Sequence, residues 1–313
     1  MNKLCENNLW GIVLAGGSGS RLKTFTRSLY DHDRPKQYCA FVGSRTMVQH
    51  TIDRVKLLID RNRILTVVTE KHHRFVQEQF KTLSTENIIV QPCNRETAPA
   101  VILPIVQLHC RYPQSVAAIF PSDHFILDET KFMEYVQKAY TFISTNPEIV
   151  VALGVRPDQF DDGYGWMKQG DEVQSFDRGS MYTVNSFIEK PHSFPLSHAE
   201  IDKYFWNTFV LVGKTETLLK HFQQRTPQLY DFFSPLKTLH DGKEKQRLIN
   251  AAYNRIPSVN FSKSILEKIS YALRVVDISD VYWSDWGEEH RIKNDVQRFN
   301  LCLNGSIGKE LAV

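Results

Sequence analysis

The chain is poor in cysteine: five residues, Cys5, Cys39, Cys93, Cys110 and Cys302, are scattered over 313 positions. Their number is odd and no C-x-x-C pair occurs, so neither a disulfide framework nor a zinc site is indicated. Reduced thiols and a cytoplasmic location are the expectation. Charge of one sign is also scarce. A formal net charge of +3 is too small and too evenly spread for a nucleic-acid footprint, so no nucleic-acid partner is expected. No apolar run is long enough to span a bilayer. The segment Met1-Asn2-Lys3-Leu4-Cys5-Glu6-Asn7-Asn8 lacks the basic start and apolar core of a signal peptide, so no membrane partner is expected either. Internal repeats, low-complexity tracts and flexible linkers are absent as well.

What is present is concentrated near the start. The apolar run Leu9-Trp10-Gly11-Ile12-Val13-Leu14-Ala15 opens into Gly16-Gly17-Ser18-Gly19-Ser20-Arg21-Leu22, with Pro35-Lys36 further on. A strand ending in glycines and then a cation suits phosphate. Glycines let backbone N–H groups approach an anion where a Cβ would clash, and Arg21 and Lys36 add mobile positive charge. A Walker loop would need Gly-Lys-Ser/Thr at its end, whereas Lys23-Thr24 follows Leu22. A dinucleotide fingerprint would need a third glycine and an acidic residue about 20 positions later, and the loop has neither. It reads as a nucleotide cradle of another kind.

From residue 9 to about 154 apolar runs alternate with amphipathic stretches, as in a mainly parallel α/β sheet flanked by helices. Strands are predicted at Ile12 to Ala15, Ile64 to Thr69, Asn87 to Gln91, Val116 to Phe120 and Ile149 to Leu153. Helices are predicted at Thr46 to Leu58, Lys71 to Thr82, Thr97 to His109 and Thr130 to Ile143. After Gly154 the alternation of Met181 to Ile188 suggests a smaller antiparallel insertion ending in Glu189-Lys190-Pro191. Helices then fill much of Thr215 to Asn254, before a late strand near Ala272 to Val276 and an amphipathic helix from about Glu288. Ligands of such sheets bind outside the carboxyl ends of the strands, where the glycine loop falls.

Phe120-Pro121-Ser122-Asp123-His124 follows a buried-looking strand. A carboxylate at that edge can hold Mg²⁺ against nucleotide phosphates; alone, Ser-Asp reads as a turn or helix cap, and the glycine loop tips the balance. The second carboxylate candidate is Asp285 in Trp283-Ser284-Asp285-Trp286-Gly287, which also reads as a cap. Two unpaired carboxylates facing each other would repel, so removing either is expected to leave the unliganded protein as stable or more so. Asp31-His32-Asp33 resembles a D-x-D metal motif but follows a polar stretch, so a solvated loop is expected. His124 is read as a structural hydrogen-bonding residue, and His72-His73 as facing solvent.

Several stretches together resemble the sugar-phosphate nucleotidyltransferases: the glycine loop with Pro35-Lys36, Gln91-Pro92-Cys93-Asn94-Arg95-Glu96-Thr97-Ala98-Pro99-Ala100, Pro121-Ser122-Asp123, Gly163-Tyr164-Gly165-Trp166, Phe187-Ile188-Glu189-Lys190-Pro191, Trp206-Asn207 and Trp283-Ser284-Asp285. Within that family the Asn94 to Ala100 stretch is similar to the guanylyl branch, which uses GTP and mannose 1-phosphate. The resemblance implies a Rossmann-like mixed sheet and a catalytic unit over residues 1–290. Its nucleotide-binding part would be about 9–154 and its sugar-phosphate-binding part about 155–290, with a C-terminal helix and tail at 291–313. It implies Ala15, Gly16, Gly17, Gly19, Arg21, Lys36 and Gln91 around the nucleotide, Gln91 near the base. Arg21, Lys36 and Asp123 would be catalytic, Asp123 and Asp285 would hold Mg²⁺, and Gly163, Glu189, Lys190 and Asn207 would take the sugar phosphate. Oligomeric state is left open, with a homodimer as the candidate. This sequence departs from the family at Thr24, where proline is common, at Trp166, where tyrosine is common, and at Phe209, where glycine is usual. Phe209 could narrow a sugar pocket or point into the core.

Overall fold

The computed structural model describes residues 8–304 apart from 31, 81–83, 193–197 and 240–241. Its strands are β1 Leu9–Leu14, β2 Ile64–Thr69, β3 Ile88–Gln91, β4 Val116–Pro121, β5 Phe125–Ile126, β6 Val150–Val155, β7 Gly165–Ser175, β8 Ser180–Glu189, β9 Tyr204–Lys214, β10 Leu273–Asp277 and β11 Trp283–Ser284. The helices are α1 Lys23–Tyr30, α2 Met47–Val55, α3 His73–Gln79, α4 Thr97–Arg111, α5 Glu129–Thr145, α6 His198–Ile201, α7 Thr215–Arg225, α8 Pro227–Phe233, α9 Gly242–Arg255, α10 Phe261–Ser264 and α11 Glu289–Arg298.

One nine-stranded sheet, in the order β3-β2-β1-β4-β9-β6-β10-β8-β7, carries the molecule. β1 pairs in parallel with β2 and β4, and β2 with β3, so Leu14, Gln91 and Pro121 all end at one edge. Residues alternate across the strands. Leu9 and Val13 of β1 pack with α2 and α5 on one face, while Trp10 and Ile12 pack with α4, α7 and α9 on the other. A third cluster joins Leu22 and Phe25 to Phe41, Trp286, Ile292 and Val296, seating α11 beside the glycine loop.

The structure departs from the expected elements in three places. The sequence pattern gives no sign of β9, yet this strand lies antiparallel between β4 and β6 at the centre of the sheet. It is buried along nearly its whole length, so it lacks the alternation that marks a half-exposed strand. The β7–β8 hairpin is not set apart as an insertion: it continues the main sheet through β10 and also joins β9. The helix expected over Lys71 to Thr82 is a 3₁₀ turn at Glu70–His72 followed by α3 ending at Gln79, and its expected last residues, 81–82, lie outside the described residues. The turn buries His72 against the Tyr38 ring at 5.2 Å, correcting the solvent-facing expectation, while His73 is exposed. Cys39, Cys93, Cys110 and Cys302 are free thiols. No helix among the described residues is long and apolar enough to cross a membrane.

Candidate functional site

The carboxyl edge of the sheet encloses a cavity of about 300 Å³. Gly16, Gly17 and Arg21 line one side, Gln91 and Glu96 another, Asp123 and Asp285 the floor, and Gly163, Glu189, Lys190, Asn207 and Phe209 the far wall. The structure thus brings together residues separated by up to the length of the predicted catalytic unit. Of the expected site residues, Ala15, Gly19 and Lys36 do not line the cavity.

The loop holds its form through groups the sequence does not single out. Gln37 Nε2 donates to the carbonyls of Ala15 at 3.0 Å and Gly17 at 2.8 Å, and the Tyr38 hydroxyl donates to Ala15 O at 3.1 Å. Gly19 sits at φ 61°, where a Cβ would also lie 2.8 Å from Lys36 N; glycine alone meets both demands without strain. Its neighbours Ser20–Leu22 form a 3₁₀ turn that leaves the Arg21 side chain 55% exposed at the cavity mouth.

Lys36 is buried, and its ammonium ties the two acidic segments together. Nζ donates to Asp123 Oδ2 at 3.1 Å and to the backbone carbonyl of Asp285. Burial pushes the Asp123 carboxyl up, and the Lys36 ammonium beside it is the main group that offsets this, so the carboxyl pKa lies below the usual value. Burial pushes His124 down to about 4. Its neutral ring accepts the Trp283 indole N–H on Nδ1 at 3.2 Å, in keeping with the structural role expected of it.

Asp285 corrects the picture of two unpaired, mutually repelling carboxylates. Its Oδ1 accepts from Arg291 Nη1 at 2.6 Å, from the Tyr164 hydroxyl at 2.9 Å and from Gly287 N at 3.0 Å. Arg291 in turn pairs with Asp161 and stacks over Tyr164 at 4.7 Å. Burial raises the Asp285 carboxyl, but Lys36 and Arg291 outweigh it and hold it well below the usual carboxylate range. Oδ2 points toward Arg21 Nη2 at 3.7 Å. Among the described residues no three His, Cys, Asp or Glu side chains cluster as a self-sufficient metal site. The donor set does fit Mg²⁺, which takes one or two carboxylates and completes its shell with water and substrate phosphates. Asp285 Oδ2 and the outer oxygen of Asp123 are the hard donors left for it.

On the far wall Glu189 faces Gly165 in register, and burial raises its carboxyl pKa. Glu189 N donates to Glu267 Oε1 at 2.7 Å, and Lys190 N to Tyr164 O at 3.1 Å. Asn207 Oδ1 accepts from Phe209 N at 3.0 Å. Glu96, Lys190, Phe209 and Trp286 are non-glycine residues at positive φ, and the first three line the cavity. Such strain collects where side chains must be aimed. Phe209 both lines the cavity and meets the Phe261 ring at 6.1 Å. Trp166 is wholly buried and outside the cavity, its indole N–H donating to Asp161 O at 2.9 Å. Of Asp31-His32-Asp33, Asp31 lies outside the described residues, and Asp33 pairs with Lys23 and Arg27 at 2.9 Å each.

Sequence reasoning does not reach Arg291, Tyr164, Asp161, Gln37 or Tyr253 as site residues. Only Tyr164 carries a signal, through its glycine-flanked stretch.

The nucleotidyl transferase family model matches residues 10–294. The mannose-1-phosphate guanylyltransferase of Escherichia coli K12 is 28% identical over 309 residues, 96% of this chain and 63% of that protein. The alginate biosynthesis protein AlgA of Pseudomonas aeruginosa is 30% identical over 285 residues, 88% of this chain and 56% of its own length. The chain therefore spans about six-tenths of the curated relatives it matches. A crystal structure of a mannose-1-phosphate geranyltransferase from Thermus thermophilus shares the fold, with a TM-score of 0.72 at 23% identity over 90% of this chain and 76% of that one. With the glycine loop, the two carboxylates and the far-wall residues meeting in one cavity at the carboxyl edge of a mixed sheet, this chain belongs to the nucleotidyl transferase family.

Proposed function

We propose that this chain transfers GMP from GTP to mannose 1-phosphate, giving GDP-mannose and pyrophosphate. One observation carries the reading: two cations, Arg21 and Lys190, line one cavity together with two ionised carboxylates, Asp123 and Asp285, whose segments Lys36 ties together. Such a cavity suits two polyanions and a divalent cation. The names of the guanylyltransferase relatives support the choice of GTP and mannose 1-phosphate.

A sugar 1-phosphate has its second pKa around 6, so its dianion can attack the α-phosphorus without a protein base. A phosphate oxygen of the sugar bonds to that phosphorus as the bond to pyrophosphate breaks. The protein's task is to align mutually repelling anions and steady the leaving group. Arg21 and the loop N–H groups take the triphosphate, while Lys36, locked between Asp123 and Asp285 O, holds both acidic segments in register. Gln91 meets the base. Gly163, Glu189 and Asn207 take sugar hydroxyls, and Lys190 the sugar phosphate. When bound by Asp123 and Asp285, Mg²⁺ would neutralise charge on the phosphates.

Pyrophosphate release over a grid of nucleoside triphosphates and sugar 1-phosphates tests this. GTP with mannose 1-phosphate is expected to be the best pair. If dTTP or UTP with glucose 1-phosphate is faster by an order of magnitude, the guanylyl assignment is wrong. Absence of turnover for every pair with Mg²⁺ would leave a non-catalytic sugar-nucleotide sensor.

A further inference from the structure

Gln91 ends β3 and is buried at the cavity wall, and the residue that meets its side chain comes from a distant part of the sequence. Tyr253 of α9 is fully buried and donates its hydroxyl to Gln91 Oε1 at 2.7 Å. Burial raises the phenol's pKa, so the hydroxyl keeps its proton. Among the described residues that hydroxyl donates no other hydrogen bond. Turning the Gln91 amide over would set its NH₂ against a hydroxyl whose own proton then has no partner, and an unmatched buried donor is costly. The amide is therefore held one way round, carbonyl toward α9 and NH₂ toward the glycine loop. The second contact agrees: Gln91 Nε2 lies 2.8 Å from where a Cβ on Gly16 would stand. Among the described residues no side-chain or backbone acceptor takes that NH₂, and Gln91 lines the cavity. Arg95 Nε donates to Tyr253 O at 3.2 Å, tying α9 to the segment that follows Gln91.

We infer that Tyr253 is a positioning residue for nucleobase choice, fixing Gln91 as a hydrogen-bond donor so that the site takes bases presenting a carbonyl oxygen and rejects those presenting an amino group there. Guanine, uracil and thymine present such an oxygen; adenine and cytosine present the amine. The inference rests on the reading of this cavity as a nucleoside triphosphate site with Gln91 at the base.

The test measures kcat/KM for GTP, UTP, ATP and CTP with mannose 1-phosphate and Mg²⁺ on the intact protein and on Tyr253→Phe. Nucleotide binding by calorimetry and the melting temperature are followed in parallel. Tyr253→Phe frees the amide to turn, so the GTP to ATP ratio should fall ~10-fold or more, the loss of one oriented polar contact, with KM for mannose 1-phosphate unchanged. A merely structural role would lower all four nucleotides together. Gln91→Glu supplies an independent reading: one carboxylate oxygen still accepts from Tyr253, the other becomes an acceptor in place of the donor, and the ratio should move toward ATP. If GTP is preferred and Tyr253→Phe keeps that preference, the inference is wrong and the nucleotide-site reading stands. If Tyr253→Phe does not fold, Tyr253→Met, which also removes the hydroxyl, takes its place and is read in the same way. If the unaltered protein neither binds nor turns over any of the four, the nucleotide-site reading fails and the inference falls with it.

Discussion

Exchanging the Asp285 carboxylate for an amide, Asp285→Asn, separates the pairing the structure gives this residue from the metal-binding role proposed for it. The side chain is 11% exposed and is paired with an Arg291 side chain 13% exposed, so little solvent screens the pair. Removing one partner of a buried pair costs ~3–5 kcal/mol because the other charge is left uncompensated. The amide oxygen of the variant would still accept from Tyr164 and Gly287, and Asp161 still faces Arg291, so a smaller cost of about 2–3 kcal/mol is expected. For a chain of this size that lowers the melting temperature by about 3–5 °C. The sign with pH follows from the depressed carboxyl. Its contribution is full above the ordinary carboxylate pKa of about 4 and is lost as pH falls further, so variant and parent should converge in acid. An Arg291→Met partner completes a double-mutant cycle, for which a coupling of at least ~1.5 kcal/mol is expected. Turnover should fall by at least ~10²-fold, comparable to losing one preorganised electrostatic contact. Thermal and urea unfolding of the unliganded variants read the first effect, and pyrophosphate release the second. An unchanged or raised melting temperature would refute the paired-carboxylate account. Near-normal turnover at saturating Mg²⁺ would reduce Asp285 to a structural anchor for α11.

Phe209→Gly relieves a left-handed backbone at φ 59° and removes a ring that both lines the cavity and packs on Phe261. Relative kcat/KM among sugar phosphates should shift by about 1–3 kcal/mol with nucleotide affinity nearly unchanged; lost stability without altered selectivity would assign the ring to the core alone. His221 is buried in α7 with both ring nitrogens unpartnered among the described residues, and burial lowers its pKa. The unfolded chain therefore takes the proton first, and the parent protein should lose stability as pH drops below about 6.5. His221→Leu should flatten that slope, measured by urea midpoints between pH ~5 and ~8; an unaltered slope would show that other groups set it.

The glycine loop and Asp123 are legible because each is local: glycines and a cation after an apolar run, a carboxylate just past a buried strand. The parallel half of the sheet is legible for the same reason, since each strand and helix announces itself within its own stretch. β9 is not, because burial on both faces erases its periodicity. Contacts between distant residues are not legible at all. Nothing in Trp283-Ser284-Asp285 says that its carboxylate is held by Arg291 and Tyr164. Nothing near Gln91 says that Tyr253, 162 positions on, fixes its amide. By itself the sequence determined the parallel half of the sheet and the edge at which the glycine loop and Asp123 lie, because those depend on residue type and local spacing. Only the tertiary structure decided which charges are paired and which donors are aimed into the cavity, because desolvation, ion pairing and hydrogen-bond polarity depend on which side chains the packed chain sets within a few ångströms of one another.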